Sequence, residues 1–156
     1  MFKPMRRKDR QISETESYEI LKKGEYGFLG TIGLNGYPSC TPFNYVVGDN
    51  CIYVHLARKG GAVIECVSNN NKISFTHVDK IELLSDEFVT NYESIMVFGI
   101  AEIAGDEEKR KALTMFIDKY SGNFKEDGMK HIEEDFNNTS VVKINIEHIT
   151  GKARRG

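Results

Sequence analysis

The sequence predicts an antiparallel β-barrel with a few peripheral helices, built as one domain. Three observations lead there. Six or so segments read as strands, and most are joined by short turns. Asn35 and Gly36 sit between two such segments as a strong hairpin signal. The helical segments are too few to supply the crossover that each parallel strand pair needs. Rolling up is how such a set of strands avoids long exposed edges.

The elements follow in order. Ser13 with Glu16 three residues on has the spacing of a capping box; Tyr18 and Leu21 then share a helical face and Gly24 is a terminator, which predicts a helix over 13–23. Residues 26–33 read as a strand returning through 37–47, and 48–50 turn the chain into a third strand at 51–55. Val63, Cys66 and Val67 have helical spacing within 61–69. Strands are expected over 72–84 and 94–104. Leu113, Phe116, Ile117 and Tyr120 follow the i, i+3, i+4, i+7 pattern of a helix over 106–120. A more acidic helix is expected over 128–136, and an alternating strand over 141–149 closes the chain.

The 156 residues are 40% hydrophobic and 28% charged, an ordinary globular balance. No apolar run approaches the ~20 residues that span a bilayer, and the basic N-terminus lacks a following hydrophobic segment, so a cytoplasmic protein is expected. Cys40, Cys51 and Cys66 are odd in number and widely spaced, which argues for reduced thiols rather than a disulfide framework. The net charge of −2 conceals basic ends. Residues 1–10 hold five Lys/Arg against one Asp and 152–156 hold three, leaving 13 basic and 22 acidic residues in between. So acidic a body repels nucleic acid, and both basic ends read as solvated tails. His77 and His131 lack paired-ligand spacing, so no metal is expected. There is no GxSxG elbow, no Walker loop and no residue that must be a general acid or base.

Four stretches taken together resemble the pyridoxamine 5′-phosphate oxidase-like split-barrel superfamily, and within it the nitroimidazole-resistance branch. They are the basic opening Met5-Arg6-Arg7-Lys8-Asp9-Arg10 with its helix; Gly30-Thr31-Ile32 through Asn35-Gly36-Tyr37-Pro38 to Thr41-Pro42-Phe43-Asn44-Tyr45; Ile52-Tyr53-Val54-His55-Leu56-Ala57 with its glycine loop; and Thr90-Asn91-Tyr92-Glu93-Ser94 through Gly99. The ending Ile149-Thr150-Gly151-Lys152 is also similar.

The resemblance implies a six-stranded Greek-key split barrel that binds FMN and works as a homodimer, with its cofactor sites at the interface. It places the flavin ring against Thr41, Pro42, Phe43, Asn44 and Tyr45. It assigns the phosphate to the strand end and loop of His55, Leu56, Ala57, Arg58, Lys59, Gly60 and Gly61, and brings Tyr92 and Ser94 from the partner. Glycines and a helix N-terminus suit a phosphate physically, and Arg58 or Lys59 can supply charge. The chain departs from the family at Ala62 and Val63, where a basic residue is common. The implied activity is electron transfer from NAD(P)H through FMN to a small acceptor such as a nitro-aromatic. The alternative is a non-catalytic module that stores or senses flavin, haem or deazaflavin. Ile95, Val97 and Phe98 offer more apolar surface than so small a barrel is expected to bury, a second argument for a dimer.

Overall fold

The computed structural model describes residues 2–57 and 61–156. The chain runs β1 (Gln11–Ile12), α1 (Glu14–Lys23), β2 (Tyr26–Ile32), β3 (Pro38–Asn44), β4 (Val46–Val47), β5 (Cys51–Ala57), α2 (Gly61–Asn69), β6 (Lys72–Leu84), β7 (Val89–Ile103), α3 (Asp106–Tyr120), α4 (Lys125–Asp135) and β8 (Thr139–Arg154). All strands pair antiparallel in one sheet of order β3-β2-β6-β7-β8-β5-β4, and β1 pairs with the far part of β8. Among the described residues six long strands thus carry the fold, with two two-residue strands added.

The two ends of that order, β3 and β4, are consecutive in the chain, with Tyr45 alone between them. Neighbouring Cα atoms lie ~3.8 Å apart, so the sheet must curl until its first and last strands meet. No ladder joins β3 to β4 among the described residues. The sheet is therefore curled but not closed, which is the split of a split barrel. The expected single return strand over 37–47 breaks here.

Tyr45 closes that break by side chains instead. It is fully buried, and its hydroxyl donates to the Leu21 carbonyl at 2.6 Å. Its own N–H donates to the Tyr120 hydroxyl at 3.2 Å, and its carbonyl accepts from Lys119 Nζ at 3.0 Å. Helix α3 thus supplies the partners that a neighbouring strand would otherwise give. Burial also pulls the Lys119 ammonium below its usual pKa.

Alternation divides the sheet into two faces. Leu29, Phe75, Ile95, Val97, Ile52 and Ile144 point inward and form the main core. Strand β5 is buried on both sides, because Cys51 and Tyr53 face a second core with Leu113 and Phe116 of α3 and Ile132 of α4. The Tyr53 hydroxyl donates to Glu108 at 2.8 Å, which helps to seat α3.

Three boundaries differ from expectation. The acidic helix begins at Lys125, and Gly128 inside it lets α4 lie against Ile117, where a Cβ would stand 2.7 Å away. Strand β7 starts at Val89, so Tyr92 and Ser94 lie within a strand. The C-terminal basic residues are not a loose tail: Lys152, Ala153 and Arg154 pair with Ser94, Glu93 and Tyr92. The anchor is Glu93, a buried carboxylate that composition does not reveal.

The apolar argument for a partner also needs correction. Ile95 and Val97 are buried inside the chain's own core, because strand alternation turns them inward. Of the three residues, only Phe98 faces out.

Candidate functional site

The outward face of the sheet reads as rows across strands. One row is Cys40–Gly30–Ser74–Phe98–His148, and the next is Pro42–Phe28–Thr76–Met96–Thr150. Beyond them lie Asn44 beside Tyr26 at one edge, and Val78–Ser94–Lys152 and Tyr92–Arg154 toward the other. The face is exposed to half-buried, with Phe28 and Met96 among its apolar members and hydroxyls or amides between them. Such a surface suits a flat, partly apolar ligand with a few polar anchors.

Alternation splits the five predicted ring-binding residues. Pro42 and Asn44 emerge on the outward face, whereas Thr41, Phe43 and Tyr45 turn inward. Phe43 packs on the main core, and Asn44 donates through Nδ2 to the Glu25 carbonyl at 2.9 Å. β3 pairs only with β2, so its other edge is free of a ladder among the described residues.

The predicted phosphate segment also divides. Leu56 packs on the main core, but His55 turns the other way. Its ring stands edge-on to Phe116 at 4.6 Å, and that apolar contact pulls the imidazole below its usual pKa by desolvation, although much of the residue remains exposed. Ala57 is exposed. Gly61 opens α2 with φ of +50°, a conformation that favours glycine. Arg58, Lys59 and Gly60 lie outside the described residues.

Tyr92 and Ser94 stand half-buried on β7, with two strands between them and β3. One chain therefore does not bring them to 41–45. What sequence reasoning missed is that the two basic ends meet at Tyr92. Pairing of Gln11 with Lys152 brings Arg10 and Lys152 to the same phenol. Burial would raise the Tyr92 pKa, but hydrogen bonding to Lys152 and Arg10, with their positive charge, holds it below the usual value. The signal was the two basic segments themselves, but only the β1–β8 pairing shows that they converge.

Behind this corner lies Glu93. It accepts from Lys80 Nζ at 3.0 Å and from Arg155 at 2.7 and 2.8 Å, and Arg155 also holds Glu16 at 2.7 Å. Burial would raise the Glu93 pKa, but hydrogen bonds from Lys80 and Arg155 outweigh it and lower the value. A carboxylate with a lowered folded-state pKa stabilises the fold fully above its unfolded value of about 4.3, and that stability is lost as pH falls through the folded value. Urea unfolding should therefore show Glu93→Gln less stable than wild type at neutral pH. The gap should narrow below about pH 4. A gap that stays constant with pH would contradict this assignment.

His77 is buried, with Nδ1 donating to the Tyr26 carbonyl at 2.8 Å, and Nε2 has no partner among the described residues. No cluster of three metal-ligating side chains exists among the described residues. Nor is any helix among them long and apolar enough to cross a membrane.

The family model described as pyridoxamine 5′-phosphate oxidase matches residues 13–153. The chain belongs to that family. No curated protein matches it in sequence. Among solved structures it is similar to a candidate 5-nitroimidazole antibiotic resistance protein from Bacteroides thetaiotaomicron, at 24% identity and TM-score 0.74, over 92% of this chain and 86% of that one. A conserved hypothetical protein from Mycobacterium tuberculosis aligns at 21% identity and TM-score 0.83, over 97% and 91%. A flavocytochrome from Azotobacter vinelandii aligns at 20% identity and TM-score 0.77, over 98% and 73%. The pyridoxamine 5′-phosphate oxidase fold is thus shared along nearly the whole chain, including with a flavoprotein. In this chain the edge strand β3 borders the outward face, and β5 leads to a helix opened by Gly61.

Proposed function

We propose that this chain is a cytoplasmic FMN-binding oxidoreductase, working as a homodimer that carries electrons from NAD(P)H to a small acceptor such as a nitroimidazole or another nitro-aromatic. The observation that carries this reading is that Pro42, Asn44, Tyr92 and Ser94 all emerge on one exposed sheet face, although their strands are not adjacent. Two copies packed through that face bring Tyr92 and Ser94 of one toward the edge strand of the other. Pro42 has no N–H to give to a ladder, so it suits an edge that stays open to a ligand. Gly61 at the start of α2 gives close backbone approach for the phosphate, with Arg58 and Lys59 before it supplying charge. The flavin supplies the redox chemistry when bound, while the chain binds and orients it. That division of labour fits a face without an obligatory acid or base.

The test is the absorption spectrum of protein purified without added cofactor, followed by titration with FMN. The expected result is flavin bands at about one flavin per chain, bleached by NAD(P)H and restored by a nitroimidazole. A Soret band would support the alternative, a haem-binding or sensing module. That alternative is favoured by one observation, the absence of a basic residue at Ala62 and Val63 where α2 begins. A colourless protein that takes up neither FMN nor haem would refute both. Light scattering at micromolar concentration checks the dimer, and a monomer mass would remove the shared site.

A further inference from the structure

We propose that the β6–β7 hairpin is an arm that lays its apolar side into the groove between α1 and α3 of a second copy of this chain. The ladder of β2 with β6 ends at Thr76, and that of β8 with β7 ends at Tyr92. Beyond these points the hairpin pairs only with itself, as far as Leu84 and Val89. A two-stranded hairpin standing alone is marginal in water. This one nevertheless holds three large apolar residues outward: Ile81 is 65%, Leu83 75% and Phe88 93% exposed. Leu83 lies opposite Thr90, and by alternation Ile81, Leu83, Thr90 and Tyr92 share one side. The apolar side of the arm therefore continues the outward face of the sheet.

The second copy is the fitting occupant for two reasons. The first is position. Asn44 and Tyr26 stand level with Val78 and Ser94, two residues beyond the Phe28–Thr76 pair. The proposed dimer sets Tyr92 and Ser94 of one copy against the edge strand of the other. A two-fold axis running along the strands achieves this, because it keeps the level and exchanges the sides. On that axis the arm, beyond Ser94, meets what lies beyond Tyr26 and Asn44. There α1 ends at Lys23 and β4 begins at Val46. Between α1, β4 and α3 lies a groove of about 370 Å³, lined by Val46, Val47 and Met115 together with Lys22, Asp118 and Lys119.

The second reason is charge. Residues 79–90 hold Asp79, Glu82, Asp86 and Glu87 against Lys80 alone. The groove is basic, because Lys22 and Lys119 line it, Lys23 follows, and Asp118 is already held by Lys125 at 2.6 Å. An apolar, acidic arm thus faces an apolar, basic groove, and each copy carries both halves. So acidic an arm is repelled by the anionic surface of a membrane. The inference rests on the proposed homodimer and states which parts of the two copies meet; the arm then holds Tyr92, at its root, in the shared site.

The test is a cross-link between two different variants in a Cys40→Ser background, where the remaining cysteines, Cys51 and Cys66, are buried. Leu83→Cys protein is incubated with Lys22→Cys protein and oxidised, then run on a non-reducing gel. A covalent dimer is expected from this mixture, and none from Leu83→Cys mixed with Lys130→Cys, which places the thiol on exposed α4. Sedimentation equilibrium supplies the second reading. Leu83→Ser should weaken the dimer roughly 10- to 100-fold, since the contact occurs twice. Its fold is checked by circular dichroism. If wild type is a dimer but the mixture does not cross-link, or Leu83→Ser associates as tightly as wild type, the arm is refuted and the dimer stands. A monomeric wild type overturns the arm together with the shared site, while FMN uptake by the chain is read separately from the absorption spectrum.

Discussion

Tyr45→Ala should cost about 3–5 kcal/mol of stability, the range for emptying a large buried aromatic site. For a chain of this length that corresponds to a fall in melting temperature on the order of 10 °C. The ring is fully buried and meets Phe75 edge-on at 4.9 Å, so its removal leaves a cavity between β3 and β6. The hydroxyl is also lost, and with it the partner of the Leu21 carbonyl. The position matters beyond the volume, since Tyr45 is the one residue through which the two ends of the sheet are joined. Tyr45→Phe separates the two contributions. It keeps the ring and loses the hydrogen bond, and should cost about 1–3 kcal/mol. Thermal melts of both variants decide the matter. A Tyr45→Ala protein melting within a few degrees of wild type would show that the split is held by something else.

Gly99→Ala is the second large effect expected. The pairing of β7 with β8 shifts between Phe98 and Gly99, so that Phe98 faces His148 while Gly99 faces Ile146. Glu147 is the extra residue of this bulge. The bulge brings the two backbones so close that a Cβ on Gly99 would overlap the Asn145 carbonyl oxygen and stand 3.1 Å from Ile144 Cγ2. A flexible side chain can move aside, but a backbone oxygen inside the sheet cannot move without breaking the ladder. The substitution should therefore cost at least the ~1–3 kcal/mol of overpacking. Gly122→Ala is the control, since its Cβ meets nothing within 4 Å, and a change within about 0.5 kcal/mol is expected there. Urea unfolding of the pair gives the comparison. Equal stability of the two variants would mean that the bulge relaxes freely.

The local grammar of the chain was legible in advance. Ser13 caps α1, accepting from the Glu16 N–H at 3.1 Å, as the spacing of the two residues requires. Gly36 takes φ of +81° in the hairpin where asparagine and glycine announced a turn. The apolar stripe of α3 buries Leu113 and Phe116 as its period demands. Gly24 shows how such a reading can be right for another reason. It ends α1, but its backbone is not left-handed; a side chain there would run into the Tyr45 hydroxyl and the His77 ring.

The candidate site was less legible, and strand alternation explains why. The segment 41–45 was read as one ring-binding unit, yet consecutive residues of a strand point to opposite faces. Only Pro42 and Asn44 reach the face that Tyr92 and Ser94 share. His55 and Leu56 part for the same reason, one toward α3 and the other toward the core.

The sequence by itself determined which segments form the main helices and strands, where the hairpin turns, and that the strands pair antiparallel. These follow from periodicity, caps and turn residues, all interactions between residues a few positions apart. Only the tertiary structure decided that the sheet ends meet at Tyr45, that Glu93 anchors the C-terminal strand, and that Arg10 and Lys152 converge on Tyr92. Each of those facts joins residues far apart in the chain. Their juxtaposition is set by register and by the burial of the whole core, for which no local pattern carries a signal.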